Sequence, residues 1–175
     1  MIENERALQE EFTWARSTSF SDYNAALGYY QVQACMEHAR GTSLLDLPCG
    51  DGTLTSLMMP YFKRIVGVDA SATHLNLAKQ KLPQVEFHHD LIEDLQLEEK
   101  FDTVTMINVL EHVTHPVEVL KKAASFLAKD GILLVHVPNS QAVNRKIAVK
   151  MGTLETCEEL SPFDINVAGH RRSYG

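Results

Sequence analysis

A chain of 175 residues, 45% hydrophobic and 22% charged, fits one domain with a real core and has ordinary globular composition. The net charge of -7 and the pI near 5.6 argue against a nucleic-acid backbone as main partner, and every apolar run is too short to span a bilayer. Cys35, Cys49 and Cys157 show neither CxxC spacing nor a secretory signal, which points to reduced thiols in a cytoplasmic protein.

Residues 2 to 17 place Ala7, Leu8, Phe12 and Ala15 among charged neighbours, the pattern of an amphipathic helix acting as an accessory lid. Capping residues at Ser21-Asp22-Tyr23-Asn24 predict a second helix through Met36, with Gly41 as its stop. Its tyrosines have two readings, closing over a ligand or half-buried packing; packing is the expectation for Tyr30, and Tyr23 is open between the two. The run from Ser43 to Leu47 then reads as a buried strand entering a turn with Pro48, Gly50 and Gly52. A helix begins at Thr53, with Leu54, Leu57 and Met58 at helical spacing. Glycines between a parallel strand and a helix expose backbone N–H groups at the positive end of the helix dipole, a site for a nucleotide-sized ligand.

Arg64 to Val68 is a second strand ending in Asp69, followed by Ser71 as a helix cap. Asp69 lies 23 residues after Asp46, near the spacing at which an acid accepts both hydroxyls of a ribose diol. Pro83 breaks the next helix, and Val85 to His88 forms a third strand leading to Asp90, which can accept from an exocyclic amine while Ala70 and Leu91 supply apolar faces. His88 and His89 point to opposite faces of a strand, so no metal site is expected there. Phe101 to Asn108 is a fourth strand. Pro116 opens a helix carried through Leu127 and stopped by Asp130-Gly131, and Ile132 to Val137 is a fifth, buried strand. Strands alternating with helices predict an α/β fold, a doubly wound and mostly parallel sheet with ligands at its carboxyl edge.

From Ser43 to Asn139 the chain resembles the class I S-adenosylmethionine-dependent methyltransferases. The residues that carry the resemblance are Asp46-Leu-Pro-Cys-Gly-Asp-Gly52, Val68-Asp69-Ala-Ser, His89-Asp90-Leu91, Asn108-Val-Leu-Glu111-His112 and Leu127 to Leu134. Five weak motifs in order at compatible spacing are together strong. Pro48 departs from the family's usual glycine or alanine and removes one N–H. The resemblance implies a Rossmann-like core over residues 42–139, behind an N-terminal helical cap over 1–41. Residues 140–175 would lie on the acceptor side, a helix up to Lys150 followed by a polar connection over 152–164, and the family's last strands are missing after them. An exposed apolar edge at strand five would then mean either a truncated chain or a homo-oligomer covering it.

The same resemblance implies roles. Gly50, Gly52 and Pro48 would line the methionine end of S-adenosylmethionine, and Asp46 would orient the turn and the ammonium. Asp69 would hold the ribose, and Asp90 the adenine amine with Ala70 and Leu91 against the ring. Asn108 would lie near the methionyl group. His112 is the candidate general base, oriented by Glu111; the plainer reading is an imidazole bonded at a helix entrance. His170, Arg171 and Arg172 read as a basic run or an anion site. The expected activity is methyl transfer to O or N of a small molecule, with an inactive cofactor-binding or interaction domain as the alternative. An NAD-dependent oxidoreductase is disfavoured because Leu54-Thr55 stands where a third glycine would be required.

Overall fold

The computed structural model describes residues 21–175, so the helix expected over residues 2 to 17 lies outside the described residues, as does the side chain of Tyr23. The elements in chain order are α1 (Ser21–Met36), β1 (Ser43–Asp46), α2 (Thr53–Met58) with a 3-10 turn at Met59–Tyr61, β2 (Arg64–Asp69), α3 (Ala72–Lys81) and β3 (Glu86–His89). They continue with β4 (Phe101–Ile107), α4 (Pro116–Ala124), β5 (Leu127–His136), α5 (Val143–Lys150) and α6 (Pro162–Asn166). Five strands form one parallel sheet in the order β3-β2-β1-β4-β5. The chain starts in the middle at β1, winds outward to β3, and then crosses back to β4 beside β1. That reversal places a crevice at the carboxyl ends of β1 and β4.

Alternation along the strands divides the core. Leu44, Ile65, Ile107 and Leu134 pack under α1 and α2 with Val32, Cys35, Met36 and Met58. Their neighbours Leu45, Val66, Val68, Val104 and Met106 pack on the other face with Val119, Ala123 and Phe126 of the α4 segment. Helices therefore cover both faces of the sheet, as continuously apolar parallel strands require. The described helices are all too short or too polar to cross a membrane.

Two expectations change. Tyr30 is 69% exposed and Tyr29 is exposed beside it, their rings edge to face at 5.5 Å, so neither packs in the core. The reason is helical phase: the buried stripe of α1 is Gly28, Gln31, Val32, Cys35 and Met36, and positions 29 and 30 fall outside it. The α4 helix also stops at Ala124, earlier than Leu127. Phe101 N donates to Phe126 O at 2.9 Å, and Leu127 already pairs with Phe101 in the sheet. The Asp130-Gly131 pair is a bulge inside β5 rather than a helix stop. Asp130 has φ 64°, and the ladder resumes with Ile132 opposite Thr103. A Cβ on Gly131 would stand 3.0 Å from Phe101 O and 3.1 Å from Asp102 O, so a side chain there would crowd the strands at the bulge. Within the expected polar connection over 152–164, α6 begins with a capping box between Ser161 and Asp164, a signal readable as S-x-x-D.

Candidate active site

Strand β1 delivers Asp46 to the carboxyl edge, but the side chain turns inward. It is 2% exposed, its oxygens accepting from Thr55 Oγ1 at 2.7 Å and Thr105 Oγ1 at 2.9 Å. Burial pushes its carboxyl up to about 6 against the two hydroxyl donors. Asp46 thus ties the glycine turn to α2 and β4. The Leu47–Pro48 peptide is cis, and Gly50 and Gly52 take φ 55° and 78°. At Gly52 a Cβ would also press to 3.2 Å from Ala78 and Leu82, so this glycine lets α2 pack on α3.

Strand β2 ends in Asp69, which gathers two backbone donors, Gly50 N on Oδ2 and Ser71 N on Oδ1, each at 2.8 Å. The acid therefore joins the glycine turn to the start of α3. Ser71 caps that helix, accepting from His74 N at 3.2 Å, and His74 Nδ1 lies 3.7 Å from Asp69 Oδ1. A cleft of about 550 Å3 opens here. Of the residues expected at the site, Pro48, Asp69, Ala70, Asp90, Leu91 and His112 line it. Asp46, Gly50, Gly52, Asn108 and Glu111 do not. His74, Ile92, Glu93, Val109 and Val113 also line it and are not among the residues singled out from the sequence. His74 falls one turn into a helix read only for its cap, and Val109 and Val113 flank the predicted Glu111-His112 pair in a turn read for its polar residues.

Asn108, at φ 54°, pairs its amide with that of buried Gln31 in α1, at 3.3 Å in both directions, and its Oδ1 lies 3.3 Å from His136 Nδ1. Burial pushes the His136 imidazole below its ordinary value. This three-residue polar cluster fastens α1 to the carboxyl ends of β4 and β5, a role no local spacing announces. His88 and His89 go to separate partners, Glu86 Oε1 at 2.7 Å and Ala70 O at 2.9 Å.

His112 is 8% exposed and donates from Nδ1 to Gly169 O at 3.2 Å, and its Nε2 stands 3.7 Å from Glu111 Oε1. The ring of His170 meets that of His112 edge to face at 5.0 Å. Glu111, His112 and His170 each offer one ligand atom within 4.8 Å of the others, so the metal-competent group among the described residues joins two neighbours in sequence to a third from the other end of the described chain. Glu111 and His170 also line a second cleft of about 330 Å3, with Arg145, Asp164, Arg172 and Tyr174. The Arg172 guanidinium is engaged by backbone carbonyls, so it is neither a solvated charge nor a vacant anion site.

A doubly wound sheet whose crevice holds an acid after β2, an acid after β3 and apolar walls between them defines a Rossmann-like nucleoside-cofactor domain. A family model described as a methyltransferase domain matches residues 20–166, and the chain belongs to that family, the class I S-adenosylmethionine-dependent methyltransferases. It is 32% identical over 123 residues to the ubiquinone biosynthesis O-methyltransferase of Haemophilus ducreyi, covering 65% of this chain and 52% of that protein. It is 34% identical over 119 residues to the mitochondrial enzyme of the same name from Candida albicans, covering 63% and 36%. The chain thus spans about half, or less, of the length of these relatives. Among solved structures, the fold matches the N-methyltransferase NodS of Bradyrhizobium japonicum in complex with S-adenosyl-L-homocysteine, with TM-score 0.61 and 18% identity over 77% of this chain and 69% of that one. It also matches a DhpI complex with the same compound, with TM-score 0.63 and 21% identity over 75% and 66%.

Proposed function

We propose that the 550 Å3 cleft binds S-adenosylmethionine and that the domain directs its methyl group to an oxygen or nitrogen of a small-molecule acceptor. The observation that carries this reading is the convergence of Asp69, Asp90 and His112 on one cleft with Leu91, Ile92, Val109 and Val113 as apolar walls. A carboxylate at Asp69 has acceptor capacity left beyond its two N–H donors and can take a ribose diol; Asp90 can accept from an adenine amine, with Ala70 and Leu91 against the ring. Pro48, which lines the cleft, and the Gly50–Gly52 turn face the methionyl end in this proposal, while Asp46 and Asn108, their side chains held by Thr55, Thr105 and Gln31, act by holding the turns rather than by contact.

The bound sulfonium would supply the electrophilic methyl, and the protein's share is alignment and proton removal. His112 is the base in this reading: Nδ1 is held by Gly169, and Glu111 Oε1 lies close enough to Nε2 to stabilise an imidazolium. The O-methyltransferase relatives and the N-methyltransferase neighbour support either acceptor atom, and their names favour the enzyme over an inactive interaction domain. A cytoplasmic setting and a second copy covering the β5 edge, where Val135 is exposed, complete the proposal.

Calorimetric titration with S-adenosylmethionine and, separately, NAD tests the cleft: saturable binding of the first alone is expected, and binding of NAD alone would overturn the reading. For the base, His112→Ala should bind S-adenosylhomocysteine as the parent does while methyl transfer falls roughly 10²–10⁴-fold. Full turnover in that variant would remove His112 from the chemistry.

A further inference from the structure

Residues 169–174 cross back over the turn that follows β4 and make six polar contacts with it, while His170, Ser173 and the Tyr174 carbonyl bond to Asp164, Glu158 and Ser140. Arg171 N donates to Glu111 O at 2.7 Å. The Arg172 guanidinium donates to Leu110 O at 2.8 Å, to Thr114 O at 3.2 Å and to Val113 O. Tyr174 Oη donates to Leu110 O at 3.2 Å, and Gly169 O receives His112 Nδ1. Gly169 itself has φ 73°, a backbone state that side chains disfavour. The strap is anchored at its far end by Ser140 N on Tyr174 O at 2.6 Å.

We propose that this strap is the positioning element of His112, with Arg172 holding the turn and the Gly169 carbonyl fixing the imidazole as its Nδ1–H tautomer. The inference rests on the reading of His112 as the base, and it gives that reading its chemistry. A carbonyl oxygen can only accept, so the ring nitrogen facing it carries the proton. The lone pair of the neutral ring is then on Nε2, the nitrogen beside Glu111. Nε2 can take the proton that an acceptor hydroxyl loses as its oxygen bonds to the methyl carbon and the methyl–sulfur bond breaks, or the proton that an ammonium gives up beforehand to free its lone pair; the resulting imidazolium keeps its Nδ1–H bond and returns the extra proton to solvent. A guanidinium is suited to the holding role because its fixed fork of N–H donors spans three carbonyls of one turn, which a lysine ammonium on a flexible stem does not reproduce.

Histidine-labelled protein, examined by nitrogen NMR about two units above the ordinary imidazole value of ~6.5, reads the tautomer directly. A His112→Asn variant identifies the His112 signals among the eight histidines. The wild type should show Nδ1 protonated and Nε2 unprotonated. Arg172→Met should move both signals toward the average of two tautomers, while affinity for S-adenosylhomocysteine changes less than about threefold. Tyr174→Phe, which removes one hydroxyl and no charge, should move them the same way by less, and it carries the test if Arg172→Met fails to fold. A wild-type ring protonated on Nε2 would overturn the inference. So would wild-type signals in either variant when it is folded. Turnover does not enter this measurement, so an active His112→Ala would remove the base while leaving the strap as the element that sets the tautomer.

Discussion

Asp69, at the carboxyl end of β2, and Asp102, at the amino end of β4, both gather backbone N–H groups with a carboxylate. At Asp102 one oxygen takes everything, accepting from Thr42 N at 2.8 Å, Ser43 N at 3.0 Å and Ser43 Oγ at 2.9 Å. Gly41 lies so close that a Cβ there would fall 2.1 Å from Asp102 Cγ. Those donors hold the Asp102 carboxyl below the usual carboxylate range, and the acid is consumed in fastening β1 to β4. Asp69 takes one N–H on each oxygen, from two segments that diverge, and the divergence leaves a cleft in front of it. The two ends of the sheet thus use the same chemistry, and binding capacity belongs to the end where the chain turns apart.

Substituting the acids should separate the two ends. Asp69→Ala is expected to weaken S-adenosylmethionine binding roughly 100- to 1000-fold by titration, because it removes a charged acceptor and loosens the glycine turn. Asp102→Ala should leave that affinity within about twofold. Equal losses in both variants would erase the distinction. Buried Asp46 sharpens it through pH. Its carboxyl is raised from the ordinary ~4 to about 6, so the folded state binds the proton more tightly than the unfolded state. The stabilisation is therefore complete below about pH 4 and lost as the pH rises through about 6. Asp46→Asn should lack that loss, so its stability relative to wild type rises by up to about 3 kcal/mol between acid and neutral pH. Parallel denaturation profiles would contradict it. Asp102 has the opposite sign, its folded value being depressed: it stabilises above the ordinary carboxylate value, and the effect disappears as the pH falls through the folded one. Asp102→Ala should cost about 1 kcal/mol at neutral pH, seen as a Tm lower by roughly 2–4 °C, and nothing in acid.

What could be read from the sequence was local. The strand, glycine turn and helix around Asp46, the acids closing β2 and β3, and the proline opening α4 are set by residues within a few positions of one another, where backbone sterics and capping act directly. The end of α4 was not legible, because Leu127 continues a helical spacing that only its pairing with Phe101 overrides. Gln31 with Asn108, and His112 with Gly169 and His170, are partners separated by 57 to 77 positions, and nothing in either segment alone specifies them. The roles of Asp46 and Gly52 were half legible: spacing marks both as part of the turn, while burial under Thr55 and Thr105 and packing on Ala78 decide which way they face.

The cysteines turn this architecture into a built-in reporter. Cys35 lies on the buried face of α1 and Cys49 inside the glycine turn, and burial pushes both thiols above their ordinary range, Cys49 far more, while Cys157 is only partly covered. An alkylating reagent should therefore count one fast thiol in the folded chain and three in denaturant. The rate at which Cys49 becomes modified measures how often the turn beneath the cleft opens, so the breathing of the binding site can be timed by mass spectrometry with no ligand and no activity assay.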